Sequence, residues 1–150
     1  MPQRLPRNPL DLRIHSLHDH VESGPPVPVP LLYTAPFFTR ARILSIDWRV
    51  SLGAGGNKYP TVEILIDGVA LLVAYGSLPM TAAGNQFISC SVQNDDTFYD
   101  AANGLYKFQL PPDIYLDSQQ QLRMSVDGLV GGDTIATVKL ITHEWITPRV

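Results

Sequence analysis

Between Thr61 and Tyr75 two apolar segments run into each other with only Asp67 and Gly68 between them, and this spacing leaves little choice of local fold. Asp-Gly tolerates the positive φ angles of a type I′ turn, whose twist matches that of the two strands it joins. A two-residue loop also fixes the cross-strand partners. Ile66 with Val69, Ile64 with Leu71 and Val62 with Val73 fall on one face, predicted to be the core face. Leu65 with Ala70, Glu63 with Leu72 and Thr61 with Ala74 fall on the other. That second face is more apolar than a solvated sheet requires, so Leu65, Ala70, Leu72 and Ala74 are expected to form an oligomer interface.

The hairpin sits inside a chain whose prolines and glycines are segregated. Eight of the 13 prolines lie at or before Pro36, whereas only Gly24 of the 11 glycines precedes it. Residues 1–30 therefore read as an extended amino-terminal arm and residues 31–150 as a β-rich body with glycine turns. In the arm, Asn8-Pro9-Leu10-Asp11 has the form of a helix start, with Asn as cap and Pro in the first turn. Leu10, Ile14, Leu17 and Val21 then recur four, three and four residues apart, the stripe of a short helix. A helix this short is marginal alone, so the stripe is expected to dock on a partner. Gly24-Pro25-Pro26-Val27-Pro28-Val29-Pro30 follows as a polyproline-like spacer.

In the body, Leu44, Ile46, Trp48, Val50 and Leu52 alternate with Ser45, Asp47, Arg49 and Ser51, predicting a half-buried strand with Trp48 in the core. Gly53 to Lys58 is expected to be a loop. Further short strands are predicted at Phe87 to Val92, Leu105 to Leu110, Ile114 to Leu116 and Leu122 to Val126, before a long last strand from Thr134 to Ile146. The expected fold is all-β, roughly eight strands in a β-sandwich or closed barrel.

Composition narrows the function. At 150 residues one core is expected, and a net charge of −3 argues against general capture of nucleic acid or anionic lipid. No charged-then-apolar leader opens the chain. Its longest apolar run, Val69 to Tyr75, is far short of the roughly 20 residues of a membrane-spanning helix, so a soluble protein is expected. The single cysteine, Cys90, lies in a strand-like run and reads as a small core residue.

No motif declares a chemistry. His15, His18 and His20 with Asp11 and Asp19 are the one cluster of potential metal ligands, but on a helix His20 turns away from the other two, and a cupin would place its ligands inside the barrel. No Gly-x-Ser-x-Gly elbow or Cys-His pair is present, and His143 is the only histidine of the body. Gly53 to Lys58 lacks the spacing of a phosphate-binding loop. Asp95-Asp96 reads as a solvated loop pair. No catalytic, cofactor or metal residue is assigned.

A Pro-rich arm, a body of about eight strands, Leu110-Pro-Pro-Asp-Ile-Tyr-Leu and then Gln121-Leu-Arg-Met-Ser-Val leading to a long final strand together resemble viral jelly-roll proteins. In size and layout the chain is most similar to the decoration, or cement, proteins of tailed-bacteriophage heads. The resemblance spans about Leu31 to Ile146. It implies a jelly-roll sandwich and a non-enzymatic virion structural protein that is made in the host cytoplasm and sits on the capsid surface. The implied partners are the major capsid protein or other virion subunits and further copies of the chain, often as a trimer, without cofactor, nucleic acid or membrane. A carbohydrate-binding jelly-roll module, such as a receptor-binding or adhesion domain, would share the fold and use exposed aromatic residues.

Overall fold

The computed structural model describes residues 11–20, as backbone, and residues 30–146. Among these it contains no helix and eleven strands: β1 (Asp11–His20), β2 (Leu31–Thr34), β3 (Thr39–Leu52), β4 (Tyr59–Ile66), β5 (Val69–Tyr75), β6 (Gly84–Ser91), β7 (Phe98–Asp100), β8 (Leu105–Gln109), β9 (Tyr115–Leu116), β10 (Gln121–Asp127) and β11 (Thr134–Ile146). They form two sheets. The seven-stranded sheet has the order β1-β11-β3-β6-β8-β7, with β9 also paired to β3, and the four-stranded sheet has the order β2-β10-β4-β5.

One core holds the sheets together. The large sheet contributes Ile43, Ile46, Trp48, Ile88, Cys90 and Phe108, and the small sheet Leu31, Val62, Ile64, Leu122 and Met124. Period-two alternation is why each strand has a buried row and a solvated row. In β10, Leu122, Met124 and Val126 are buried while Gln121, Arg123 and Ser125 are only half-buried. Each large aliphatic side chain removed from water contributes about 1.5 to 3 kcal/mol.

The arm contains a strand where a helix was expected. Asp11–His20 pairs antiparallel with β11, Ile14 opposite Ile141 and Leu17 opposite Val138. The long, β-branched β11 offers an open edge, and pairing with it satisfies the backbone groups of the arm more effectively than an isolated helix can. A strand does not gather residues four, three and four apart on one stripe, so Ile14 and Leu17 do not form the expected helical surface. Leu10 and Val21 lie outside the described residues.

Of the register shifts in the two sheets, two alter the alternation read from the sequence. On β3, Ser45 pairs with Ile141 but Ile43 pairs with Thr142, leaving Leu44 as the extra residue. Ile43 and Ile46 are both fully buried in consequence, and Leu44 is only half-buried. On β5, Glu63 pairs with Leu72 but Val62 with Ala74, leaving Val73 unpaired. The expected Val62/Val73 and Thr61/Ala74 partners are therefore replaced by Val62/Ala74 and Thr61/Tyr75. The three pairs nearest the turn, from Ile66/Val69 through Leu65/Ala70 to Ile64/Leu71, have the expected register. The face predicted to be core is nevertheless buried only at Val62 and Ile64, and Ile66, Val69 and Leu71 are exposed because β5 is an edge strand that extends beyond the opposing sheet's cover.

The sheets are not wholly antiparallel. β6 and β8 pair in parallel, Phe87 beside Leu105 and Cys90 beside Phe108. After β6 the chain crosses over through Val92 to Thr97, forms the short edge strand β7, and turns back to insert β8 between β7 and β6.

The turn that opens β5 has φ of 50° at Asp67 and 79° at Gly68, the left-handed conformation at both central positions. A Cβ at Gly68 would meet nothing within 4 Å, so substitution there perturbs the backbone alone. Gly68→Val is expected to lower stability by about 1 to 3 kcal/mol in urea unfolding, and Gly68→Asn by much less. Equal effects for the two variants would show that positive φ is not the determinant.

Candidate functional site

Two exposed surfaces stand out among the described residues. The first is the β5 edge. Val69 is 63%, Leu71 52%, Leu72 58% and Tyr75 60% exposed, on a strand paired only to β4. No charged residue occurs between Gly68 and Asn94. A seven-residue edge without Lys, Pro or an inward charge lacks the devices that keep sheets from adding strands, although the bulge at Val73 interrupts it.

The structure divides the residues expected at an interface. Leu65 and Ala70 are cross-strand partners on the outer face, Leu65 half-buried and Ala70 exposed, and Leu72 is exposed beside Glu63. Ala74 is 7% exposed and belongs to the core, because the bulge turns it inward opposite Val62. Nor is the outer face of the small sheet uniformly apolar. Its centre is an ion pair in which Arg123 Nε donates to Glu63 Oε2 at 3.1 Å and Nη2 donates to the same oxygen. The exposed apolar strip thus runs along the edge rather than across the face.

The second surface, not foreseen from the sequence, is a concavity of about 480 Å³ on the outer side of the large sheet. Strand register builds it in two rows. Lys139, Asp47, Ser89 and Lys107 lie side by side on β11, β3, β6 and β8. The neighbouring row carries Arg49, Phe87 and Leu105. Phe87 is 50% and Leu105 39% exposed, although both lie on interior strands. The outward alternation of Asp47 and Arg49 was legible in the sequence. The parallel β6/β8 pairing that sets Lys107 and Leu105 beside Ser89 and Phe87 had no local signal.

Other singled-out residues have structural places. Trp48 is buried, with its ring edge-on to Phe108 at 6.1 Å. Cys90 is fully buried, and burial, with a smaller contribution from Asp47, pushes its thiol pKa up, away from nucleophilic use. Trp145 is half-buried, edge-on to Tyr115 at 5.9 Å, and Arg40 lies 4.5 Å from the centre of the Tyr115 ring. His143 is half-buried on β11, between Leu12 and Arg42. His15, His18 and His20 lie on β1, outside the described side chains. Among the described residues no group of three or more His, Cys, Asp or Glu could hold a metal ion. No described helix is long and apolar enough to cross a membrane.

The aromatic residues beneath the Gly76 to Ala83 loop also act as fasteners. Tyr106 donates to the Leu78 carbonyl at 2.6 Å and accepts from the Leu78 N–H at 3.1 Å. Burial pushes the pKa of its phenol up to about 12. Tyr99 accepts from Ala82 N–H at 3.1 Å and donates to Gln86 at 3.2 Å.

No family model matches the chain. No curated protein matches it. Among solved structures it is similar to dimeric latent PorU from Porphyromonas gingivalis, with 11% identity and a TM-score of 0.47 over 91% of this chain and 13% of that one. It is also similar to the structure of infectious bursal disease virus, Gx strain, with 13% identity and a TM-score of 0.36 over 88% of this chain and 33% of that one. The chain spans a minor part of each, and at these TM-scores no property of either carries over to it.

Proposed function

We propose that the protein is a non-enzymatic structural subunit of a virion, a capsid decoration protein that joins copies of itself and the major capsid protein on the shell surface. The observation that supports this reading is the exposed apolar edge of β5, free of charge and proline though bulged at Val73, on a low-charge body, a surface suited to strand addition and apolar docking. The body is read as a jelly-roll variant in which the parallel β6/β8 pair departs from the antiparallel pattern. A trimer, the state implied by the resemblance to cement proteins, requires β5 to meet a different surface on the next copy. Pairing of β5 with its own copy would close a two-fold dimer instead.

Light scattering at micromolar concentration should give the trimer mass, and the protein should sediment with virus particles that display its partner. Val69→Lys with Leu72→Lys should abolish both while leaving the melting temperature within a few degrees, because both positions are exposed. A wild-type monomer that fails to sediment with particles would overturn the assignment. A dimer dissociated by the same substitutions would retain the edge as the interface and replace the three-fold arrangement.

A further inference from the structure

The positive charge of the described body is unevenly engaged. Arg40 pairs with Asp117 at 3.3 Å, Arg42 with Asp113 at 3.4 Å and Lys58 with Asp133 at 2.8 Å. Arg123 pairs with Glu63. The other three cations, Arg49, Lys107 and Lys139, have no ion-pair partner among the described residues, and all three line the concavity of the large sheet. The unneutralised cations of the described body are thus gathered at one place. Between them lie the exposed faces of Phe87 and Leu105 and the polar groups of Asp47 and Ser89.

From this arrangement we infer that the outer concavity of the large sheet binds an acidic oligosaccharide, a sugar chain carrying carboxylates. Its volume of about 480 Å³ is that of a ligand site. Phe87, exposed on an interior strand, offers an apolar surface for the C–H face of a pyranose ring. Lys139 and Lys107 are three strands apart in one row, about 14 Å across the sheet at the usual strand spacing, so the cations span more than a single sugar. The Asp47 carboxylate and Ser89 hydroxyl occupy the two places between them, where neutral sugar hydroxyls can donate to one and accept from the other. An acidic peptide or a nucleic acid would set a denser run of negative charge against Asp47, which disfavours both. The site lies on the opposite sheet from β5, so it is independent of the assembly surface.

The test is titration calorimetry of the whole protein with tetragalacturonate, a hyaluronan tetrasaccharide and sialyllactose. Neutral cellotetraose, hexaglutamate and hexathymidylate serve as comparisons. At least one carboxylated saccharide should bind with a Kd below about 1 mM, and cellotetraose at least about tenfold more weakly. Arg49→Gln and Lys107→Gln should each weaken binding roughly fivefold, and Phe87→Ala roughly tenfold. Their melting temperatures should stay near wild type, since all three side chains are exposed. The Val69→Lys, Leu72→Lys variant should bind as wild type does. Three outcomes would overturn the inference: no carboxylated saccharide bound at about 1 mM, binding indifferent to all three substitutions, or hexaglutamate or hexathymidylate bound at least as tightly. None of them bears on whether β5 mediates assembly, which is read from mass and sedimentation.

Discussion

Asp133→Ala should destabilise the protein by about 3 to 5 kcal/mol at neutral pH, among the largest effects expected of any single substitution in the body. The carboxylate is fully buried and lies 2.8 Å from the Lys58 ammonium, itself only 6% exposed. Its oxygens also accept from the N–H groups of Gly53 and Val130, both at 2.9 Å. One side chain therefore joins the loop after β3, the start of β4 and the turn before β11. Removing it leaves a buried cation and two backbone donors without an acceptor, and desolvation of those groups sets the penalty rather than the net worth of the pair. Replacing both residues, Lys58→Met with Asp133→Leu, should cost less than Asp133→Ala alone, because it removes the orphaned cation, while the Gly53 and Val130 N–H groups lose their acceptor in both variants. If urea unfolding shows the double variant to be the less stable, the buried pair contributes positively and this account is wrong.

The same carboxylate sets a pH dependence. Burial alone would raise its pKa, but the hydrogen bond from Lys58 and those from Val130 and Gly53 outweigh it and hold the group below its ordinary value of 3.8. A folded-state pKa below the unfolded one means that the stabilisation is complete above the unfolded value and disappears as pH falls through the folded value. Wild-type stability should therefore drop below about pH 4, and the gap between wild type and Asp133→Ala should narrow over the same window. A gap unchanged between pH 6 and the acid limit of folding would remove the linkage.

How much of this was legible in the sequence depended on whether the signal was local. Asp67-Gly68 specifies its own turn, and the structure has positive φ at both residues, because two residues of loop leave almost no other solution. Burial of Ile46, Trp48, Val50 and Leu52 followed from period-two alternation. The departures come from non-local partners. Leu44 and Val73 are bulged because the neighbouring strands dictate a register that their own alternation does not encode. Asp11 to His20 carries a respectable helical stripe and is nevertheless a strand, since an open edge on β11 was available to it. Lys58 ends what reads as a glycine-rich turn, and only Asp133, 75 residues later, explains why it is buried. The concavity of the large sheet was hidden for the same reason: its cations come from three strands, and the pairing of β6 with β8 brings Lys107 to the others. The β5 edge was half legible, since its apolar content was evident but the inward turn of Ala74 was not.

Trp48→Ala is the other large effect expected, roughly 3 to 5 kcal/mol, and it separates a packing role from a binding role for this residue. Trp48 lies on β3, central in the large sheet between β11 and β6, with Val138 and Ile88 as its cross-strand neighbours. It is 2% exposed and its ring meets Phe108 edge-on, 84° between planes. Phe108 in turn meets Tyr106 edge-on at 6.0 Å, so the indole anchors an aromatic row that ends at the hydroxyl holding Leu78. Truncation to Ala removes the transfer free energy of the indole and leaves a cavity that strands of two fixed registers cannot close. Trp48 Nε1 has no protein hydrogen-bond partner among the described residues, so the ring contributes through shape and area rather than a polar contact. Trp48→Phe should therefore recover more than half of the loss. Saccharide affinity of that variant should match wild type, because Trp48 borders the concavity but is only 2% exposed, with its ring packed on Phe108, while Asp47 and Arg49 on either side present the more accessible groups. A Trp48→Phe protein as stable as wild type but unable to bind the carboxylated saccharides would show instead that the indole belongs to the site.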